Sequence, residues 1–535
     1  MKKRKKFKKG SIFVFIFLII NYISSFLLIK SIGYFNSSKS FMSKVFYISI
    51  VVIFLIAIIS TLYGINVIKK NRKNKYIRFY IYIVLLISLE IFLSFNINKV
   101  TNSITKFSNS KNSYSTSLVA LKSSKLNSIK DLKDDTTIGM INDENNKEAY
   151  IIPLQIIEDK KINEDNIKYY DSFEELLNDL YDEKIDTVFL SSSYVSMFST
   201  LEGFENIKDD TKVLYEKIKN ATSSTKKTSK TLNEPFTLLI MGVDSDTNSL
   251  EKSSSFNGDT LILITFNPNT MNATILSIPR DTRVPIVCTK YKSKNKINSA
   301  AYYGASCVTD TISSFTGINI DYWVKVNFQA VVKLVDAVGG IEIDVPYAFC
   351  EQNSKRQFGS NTIYVEKGLQ NLNGEQALAY ARNRHTWPFC GKKYSNYVSN
   401  DFIRGQHQQE IINALINKLK SVRKINEIYD ILDIIGDNID SNIDKDTMIT
   451  AFDTFKNIIS KSRNIKSNNL LGTQKLYLNG SDNMIGGIYY YEYSVSSLKQ
   501  IINAMKINLE LIEPKMDKDF SFSINEPYVE KQIGK

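Results

Sequence analysis

The run FTLLIMGVDSD at residues 236–246, followed by DTLILITFNP at 259–268 and ATILSIPRD at 273–281, decides the fold of the C-terminal half. Each is a short apolar run, rich in Ile, Leu and Thr, and each starts or stops on charge: Asp244, Asp259, and the pair Arg280–Asp281 behind Pro279. Short apolar runs bounded by turn residues read as buried strands. Further on come a helix in FQAVVKLVDAVGG, a strand in IEIDVP and a long helix from Asp401 to about Lys420. Strands interleaved with helices argue an α/β domain, and side chains at its strand ends face the crevice where ligands bind.

Upstream, residues 217–234 (KIKNATSSTKKTSKTLNE) lack an apolar period and read as a linker. Residues 115–216 alternate again: SLVALK, helix-like SIKDLK, strand TTIGMI, helix KEAYIIPLQIIED, strand NIKYY, helix SFEELLNDLY and strand DTVFL. That alternation predicts a small α/β accessory domain with a largely parallel sheet. The runs SIKDLKDDTTIGMI and YYDSFEELLNDLYDEKIDTVFLSSS resemble one lobe of a periplasmic solute-binding protein, which implies a scaffold or sensing role as readily as small-molecule binding.

The charge is concentrated at one end. Of 68 Lys/Arg and 55 Asp/Glu, residues 1–111 hold 19 basic residues and a single acid, Glu90, so the remainder is mildly acidic. A nucleic-acid binder needs its basic patch on the folded domain, and that class is excluded. The basic end instead frames three strongly apolar stretches, Lys9 to Lys30, Lys44 to Lys69 and Arg78 to Lys99, each long enough to cross a bilayer as a helix. Basic residues crowd before the first span (Lys2, Lys3, Arg4, Lys5, Lys6, Lys8, Lys9) and between the second and third (Lys69, Lys70, Arg72, Lys73, Lys75, Arg78). The positive-inside rule predicts a multi-pass cell-membrane protein with a cytoplasmic N-terminus and everything after about residue 100 outside. Glu90 falls inside the third span. It reads as a carboxylate near the outer interface or protonated within a small helix bundle, with a functional role as the alternative.

The expected organisation is a three-helix membrane anchor (1–100), the accessory domain (115–216), the linker (217–234), the larger α/β domain (235–510) and a tail (511–535). All four cysteines, Cys288, Cys307, Cys350 and Cys390, lie in the part expected outside. None forms a C-x-x-C pair, so zinc is not expected, and an oxidising compartment permits disulfides. Cys288 with Cys307 and Cys350 with Cys390 each bracket a loop beside the charged motifs; the other two connectivities stay open.

The larger domain gathers arginines and separated aspartates without a covalent nucleophile. KINSAAYYG supplies Lys296 and Asn298, AYARNRHT supplies Arg382 and Arg384, and DFIRGQHQQE supplies Asp401, Arg404, Gln406, Gln408 and Gln409. Guanidinium forks match phosphate oxygens, and paired aspartates suit a Mg²⁺ that also takes phosphate oxygens. Such a set fits phosphoryl transfer, which works by positioning and charge neutralisation. The chain lacks G-x-S-x-G and G-x-x-x-x-G-K-[ST], which argues against serine hydrolysis and P-loop kinase chemistry. His385 and His407 read as bystanders.

In their order, LLIMGVDS, GDTLILITFNP, LSIPRDT, KINSAAYYG, LVDAVGGIEIDVP, LNGEQALAYARNR and DFIRGQHQQ resemble the LytR-CpsA-Psr family over about residues 235–510. The resemblance implies an α/β/α domain with a central sheet, an apolar cleft for a polyprenyl tail and a diphosphate at its mouth. Asp244 and Asp259 would hold Mg²⁺. Arg280, Arg382, Arg384 and Arg404 would clamp the diphosphate, and Asp401 would orient them or act as general base. Asp281, Lys296, Asn298, Gln406 and Gln409 would meet substrate. The implied reaction moves a glycopolymer (teichoic acid, capsule or similar) from polyprenyl diphosphate to peptidoglycan, by attack of a muramic acid hydroxyl on the sugar-side phosphate. The chain departs from the family pattern at Asp246 and Asn257, where arginines are usual, and at His407, in place of another. These changes remove up to three positive charges from the mouth. Two other readings follow: a weakly catalytic polyprenyl-phosphate binder or regulator with the accessory domain as sensor, and a diphosphate hydrolase that releases polymer.

Overall fold

The computed structural model describes residues 9–34, 41–108, 113–199, 203–220, 232–243, 255–270, 272–397, 400–419, 438–444 and 472–512, with isolated positions between them. Asp244, Asp246, most of the linker and almost all of the tail lie outside the described residues. The chain divides into two compact units, one built mainly on residues 1–106 and the other on residues 107–443 and 462–535.

The first unit is helical: α1 (Lys9–Gly33), α2 (Phe41–Lys70) and α3 (Lys73–Ser108). All three are long and apolar enough to cross a membrane. Val14, Leu18, Val67, Phe79 and Ile83 pack between them, while Phe26, Phe54 and Leu85 point outward. Helices that are apolar on all sides suit lipid rather than water. Glu90 is buried at 4% exposure, where Ser24 Oγ and Ser25 Oγ donate to its two oxygens. The two serine hydrogen bonds within the helix bundle make this buried carboxylate tolerable.

The second unit opens with a five-stranded sheet, β1 (Ser113–Leu121), β2 (Ile138–Ile141), β3 (Ile167–Tyr170), β4 (Thr187–Ser191) and β5 (Thr211–Asn220). Their order is β3-β2-β4-β1-β5. Helices α4 (Ile152–Lys160) and α5 (Phe173–Tyr181) cross between strands, so β2 pairs parallel with β3 and β4. The largely parallel expectation needs correcting: β1 runs antiparallel to both β4 and β5. Only a 3₁₀ turn at Ile129–Asp131 separates β1 from β2, and without a crossover helix parallel pairing is not imposed. β5 also continues through Asn220, four residues into the expected linker, because it pairs along the full length of β1.

The larger domain holds a six-stranded sheet of β6 (Phe236–Val243), β7 (Gly258–Asn267), β8 (Asn272–Ile278), β9 (Tyr322–Asn327), β10 (Ile439–Ser441) and β11 (Gly472–Tyr477). Their order is β10-β9-β6-β7-β8-β11. On one face Leu239, Met241, Leu263 and Leu276 meet Val308 and Ile312 of α6 (Ala305–Thr316) and Ile501 of α10 (Val495–Asn508). Toward the other face lie α7 (Phe328–Ala337), α8 (Gly374–Arg382) and α9 (Asp401–Leu419), giving the α/β/α arrangement.

Two disulfides close loops beside this sheet, Cys288–Cys307 and Cys350–Cys390, with Cα–Cα distances of 5.6 and 6.4 Å. In the chain-entropy picture each stabilises by about 2–4 kcal/mol, and more for the longer loop. Cys350 and Cys390 are 40 residues apart against 19 for the other pair. The double serine variant at Cys350 and Cys390 is therefore expected to lose more thermal stability than the one at Cys288 and Cys307. Equal melting points for wild type and both variants would show that neither bond forms.

Candidate active site

Three strand ends meet at one edge of the sheet. β6 and β7 are antiparallel with Val243 opposite Gly258, and β7 and β8 are antiparallel with Leu261 opposite Ile278. The end of β6, the start of β7 and the end of β8 therefore converge, which brings Asp259 beside Arg280 and Asp281. Arg280 Nη1 donates to Asp259 Oδ1 at 2.6 Å, and Arg280 Nε lies 3.5 Å from Asp281 Oδ2. Lys296 Nζ sits 3.0 Å from Asp281 Oδ1, extending the chain of alternating charge. The backbone N–H of Asn298 donates to the Arg280 carbonyl at 3.2 Å, which fixes the loop carrying Lys296.

Helix α9 closes the cluster from above. Gly405 allows the approach: a Cβ there would stand 3.2 Å from Ser277 Cβ on β8. Arg404, buried beside that glycine, donates through Nη2 to the Asp259 carbonyl at 3.0 Å. Burial pushes the Asp259 carboxyl up, but the charges of Arg280, Arg404 and Arg384 more than offset it and hold it below the usual range. Asp259 is a buried, ionised carboxylate that binds and orients cations.

Arg382 ends α8, and its Nη1 donates to the Asn353 carbonyl at 3.2 Å. Arg356 belongs beside it and carries no signal in the sequence reading. It adopts a left-handed backbone conformation (φ 58°), and burial together with Arg382 and Arg384 pulls its guanidinium down to about 9. It stays charged at neutral pH, so like charges converge here, as a polyanion requires.

The α9 glutamines divide. Gln408 Nε2 donates to Thr260 Oγ1 at 2.9 Å and to the Ala381 carbonyl at 3.2 Å, tying α9 to β7 and α8. Gln409, expected at substrate, is instead wholly buried, and its Nε2 donates to Ser277 Oγ at 2.8 Å. It positions the helix. Gln406 is half-buried, and Asp401 is the first residue of α9, with its side chain outside the described residues.

Beneath the charged edge the face of the sheet turned away from Leu239 and Met241 is incompletely covered. Leu238 and Ile240 of β6, Ile264 of β7, and Val324 and Val326 of β9 are all half-buried. The strand register sets them side by side: Leu238 opposes Ile264, and Ile240 opposes Val324. The result is an apolar row in mid-sheet.

A family model described as the LytR_cpsA_psr family matches residues 203–507. The chain belongs to this family. TagU of Bacillus subtilis, named a polyisoprenyl-teichoic acid–peptidoglycan teichoic acid transferase, is 32% identical over 298 residues, 56% of this chain and 85% of TagU. TagV of the same organism, with the same name, is 32% identical over 280 residues, 52% of this chain. The chain spans just under two thirds of TagV, 65%. The crystal structure of Bacillus subtilis TagV matches at 30% identity over 52% of this chain and 99% of that one, with a TM-score of 0.42.

The LytR_cpsA_psr match begins at residue 203, ahead of the expected 235, and so takes in β5. Two of the departures from the LytR_cpsA_psr pattern can be placed. Asn257 Nδ2 donates to Asp259 Oδ2 at 3.3 Å, so this position does face the cluster. His407 does not. It is 2% exposed, stacked on Tyr380 at 3.8 Å, with Nδ1 3.1 Å from the Tyr380 carbonyl and Nε2 3.3 Å from Tyr347 Oη.

Proposed function

We propose that this chain transfers a glycopolymer from a polyprenyl diphosphate to peptidoglycan outside the membrane. The observation that carries the reading is the Asp259–Arg280–Arg404 cluster at the edge of a sheet with a half-open apolar face. Fixed guanidinium groups suit a diphosphate, and an apolar row suits a long hydrocarbon tail. TagU and TagV bear names that describe such a reaction, which supports the same reading.

In this scheme Arg280 and Arg404, held by Asp259, bind the diphosphate with Arg382, Arg384 and Arg356. An acceptor hydroxyl oxygen bonds to the sugar-side phosphorus as the phosphorus–oxygen bond to the lipid phosphate breaks. Polyprenyl phosphate leaves with the electron pair, and the hydroxyl proton passes to a base, for which Asp401 is the candidate. The arginines neutralise charge that builds on the phosphate oxygens and leaving group. Asp259 suits a Mg²⁺ ligand, being an ionised carboxylate whose Oδ2 accepts from Asn257 Nδ2 at a long 3.3 Å. With Asp244 it would hold the ion, which would further neutralise the diphosphate.

The test incubates the full chain in lipid nanodiscs with labelled donor and peptidoglycan, with Mg²⁺ or with chelator. Label in peptidoglycan is expected. Label released as free polymer would replace transfer by hydrolysis, and label retained without product would leave a binder. Undiminished Mg²⁺ dependence in Asp259→Ala would remove this aspartate from the metal.

The same reading places the larger domain outside the cell. The described residues include no free cysteine, so engineered thiols can be read against a silent background. An impermeant maleimide is expected to label Glu342→Cys in intact cells and to miss Lys73→Cys. The reverse pattern would overturn the orientation.

A further inference from the structure

The accessory domain does not hang from a tether; it is locked to the catalytic domain by its own buried carboxylates. Asp143 Oδ2 accepts from Tyr303 Oη at 3.0 Å and from the Lys290 N–H at 3.2 Å. Glu148, 1% exposed, accepts from Ser191 Oγ at 2.7 Å and from the Ser115 N–H at 2.9 Å within its own domain, and from the Ser255 N–H at 3.3 Å across the boundary. Phe173 and Phe198 each pack edge-on against Tyr302, with ring centroids 5.6 Å apart. Buried carboxylates are costly unless satisfied, so this interface holds one arrangement of the two domains.

The docking builds a cleft. Its accessory wall carries Asn142, Asp171, Ser172 and Glu174; its catalytic wall carries Arg280, Asp281, Lys296 and Asn298; Phe173 and Tyr302 lie between. Arg280 is thus shared with the phosphate-binding cluster, and the cleft opens directly beside it. We propose that this cleft is the acceptor subsite, and that the accessory domain supplies half of it, binding the amino-sugar glycan whose hydroxyl is attacked onto phosphate. The inference rests on the transfer reading above.

Three features favour an uncharged, hydroxyl-rich ligand over a second phosphate. The lining holds four carboxylates, Asp143, Asp171, Glu174 and Asp281, against two cations, Arg280 and Lys296. That balance repels a polyanionic polymer everywhere except at the Arg280 edge. Amide, hydroxyl and carboxylate groups facing one another across an aromatic floor match ring hydroxyls and acetamido groups above an apolar sugar face. The enclosed volume is about 190 Å³, below the range of about 300–1,000 Å³ typical of pockets that enclose a whole drug-sized ligand. The cleft therefore grips little more than one ring and leaves the rest of a long chain in solvent, as an acceptor within a polymer demands.

Glu174 and Asp171 carry the test, because neither makes the docking contacts. Glu174 is in the first turn of α5, half-buried, and its charge reaches both Tyr302 and Tyr490. Asp171 is exposed, and its Oδ1 accepts from Asn142 Nδ2 at 3.3 Å. The full chain in nanodiscs is titrated with a tetrasaccharide released from peptidoglycan, followed by saturation-transfer NMR, and donor lipid binding is measured separately. The double variant Asp171→Asn/Glu174→Gln is expected to bind the tetrasaccharide about tenfold or more weakly, as loss of hydrogen bonds to charged groups implies. In the transfer assay it is expected to raise KM for the acceptor while KM for the donor stays unchanged. Equal tetrasaccharide affinity in wild type and variant, or no binding to wild type, would overturn the subsite. Donor affinity falling in parallel would likewise overturn it and assign the cleft to the donor. Tetrasaccharide binding lost in the variant, in a protein that hydrolyses donor rather than transferring it, would uphold the subsite and overturn the transfer reading alone.

Discussion

Arg280→Ala is expected to lower polymer transfer by about two to three orders of magnitude, the usual cost of removing one preorganised charge donor at a reacting centre. Arg280 has two tasks that separate experimentally. In the proposed scheme it would bind the transferring group, and it is the ion-pair partner of Asp259, with side-chain exposures of 12% and 9%. Breaking a buried pair from one side leaves a buried charge and costs about 3–5 kcal/mol. Here Arg404 and Arg384 remain near Asp259, so the stability loss is expected toward the lower end. The double variant Arg280→Ala/Asp259→Ala should recover part of that stability and none of the activity. If the double variant recovered both, the pair would be structural, and the phosphate would have to be bound elsewhere.

The second large effect concerns acid. Burial lowers His407 from its ordinary value of 6.5 to about 4, so the fold prefers the neutral ring. The unfolded chain takes up the proton first. The stabilisation is therefore fully present above about pH 6.5 and is lost as pH falls toward about 4, and its full size is about 3 kcal/mol. The chain has only two histidines, and the other, His385, is exposed. Asp259 acts in the same direction but at lower pH, within and below the carboxylate range. Denaturant unfolding of the wild type is expected to weaken between pH 7 and about pH 4.5, and His407→Gln should flatten most of that change. A variant with the same pH slope as wild type would assign the acid sensitivity to carboxylates.

What could be read in advance follows a physical division. Asp259, Arg280 and Asp281 stand where apolar runs meet charge, and a two-residue side-chain period with antiparallel pairing brings such ends together without further information. Arg382, Arg384 and Arg404 were legible through the order of the motifs. Arg356 was not. It sits in a loop, flanked by Lys355 and Gln357, and only the path of that loop turns it toward Arg382. His407 and Gln409 lie on the same helix as Arg404, but the helical period alone does not say which face the sheet will cover. Asp143 and Glu148 carry no signal in the sequence, because the partners that tie them to the larger domain, Tyr303 and the Ser255 N–H, come from more than a hundred residues away. The antiparallel β1 was missed for a related reason, since the alternation of strands and helices dictates direction only where a helix crosses over.

The mid-sheet row of Leu238, Ile240, Ile264, Val324 and Val326 has a thermodynamic side. A sheet packed on one face and half-open on the other forgoes part of the apolar burial that folding ordinarily supplies, at about 25 cal/mol for each Å² left wet. An apolar chain lying along that row would return the missing term, and by mass action would stabilise the native state by an amount that rises with the logarithm of its own concentration. The melting temperature of this domain would then act as a gauge of lipid supply. A cell short of carrier lipid would hold a less stable pool of the protein, opened more often to proteolysis, with no dedicated regulator required.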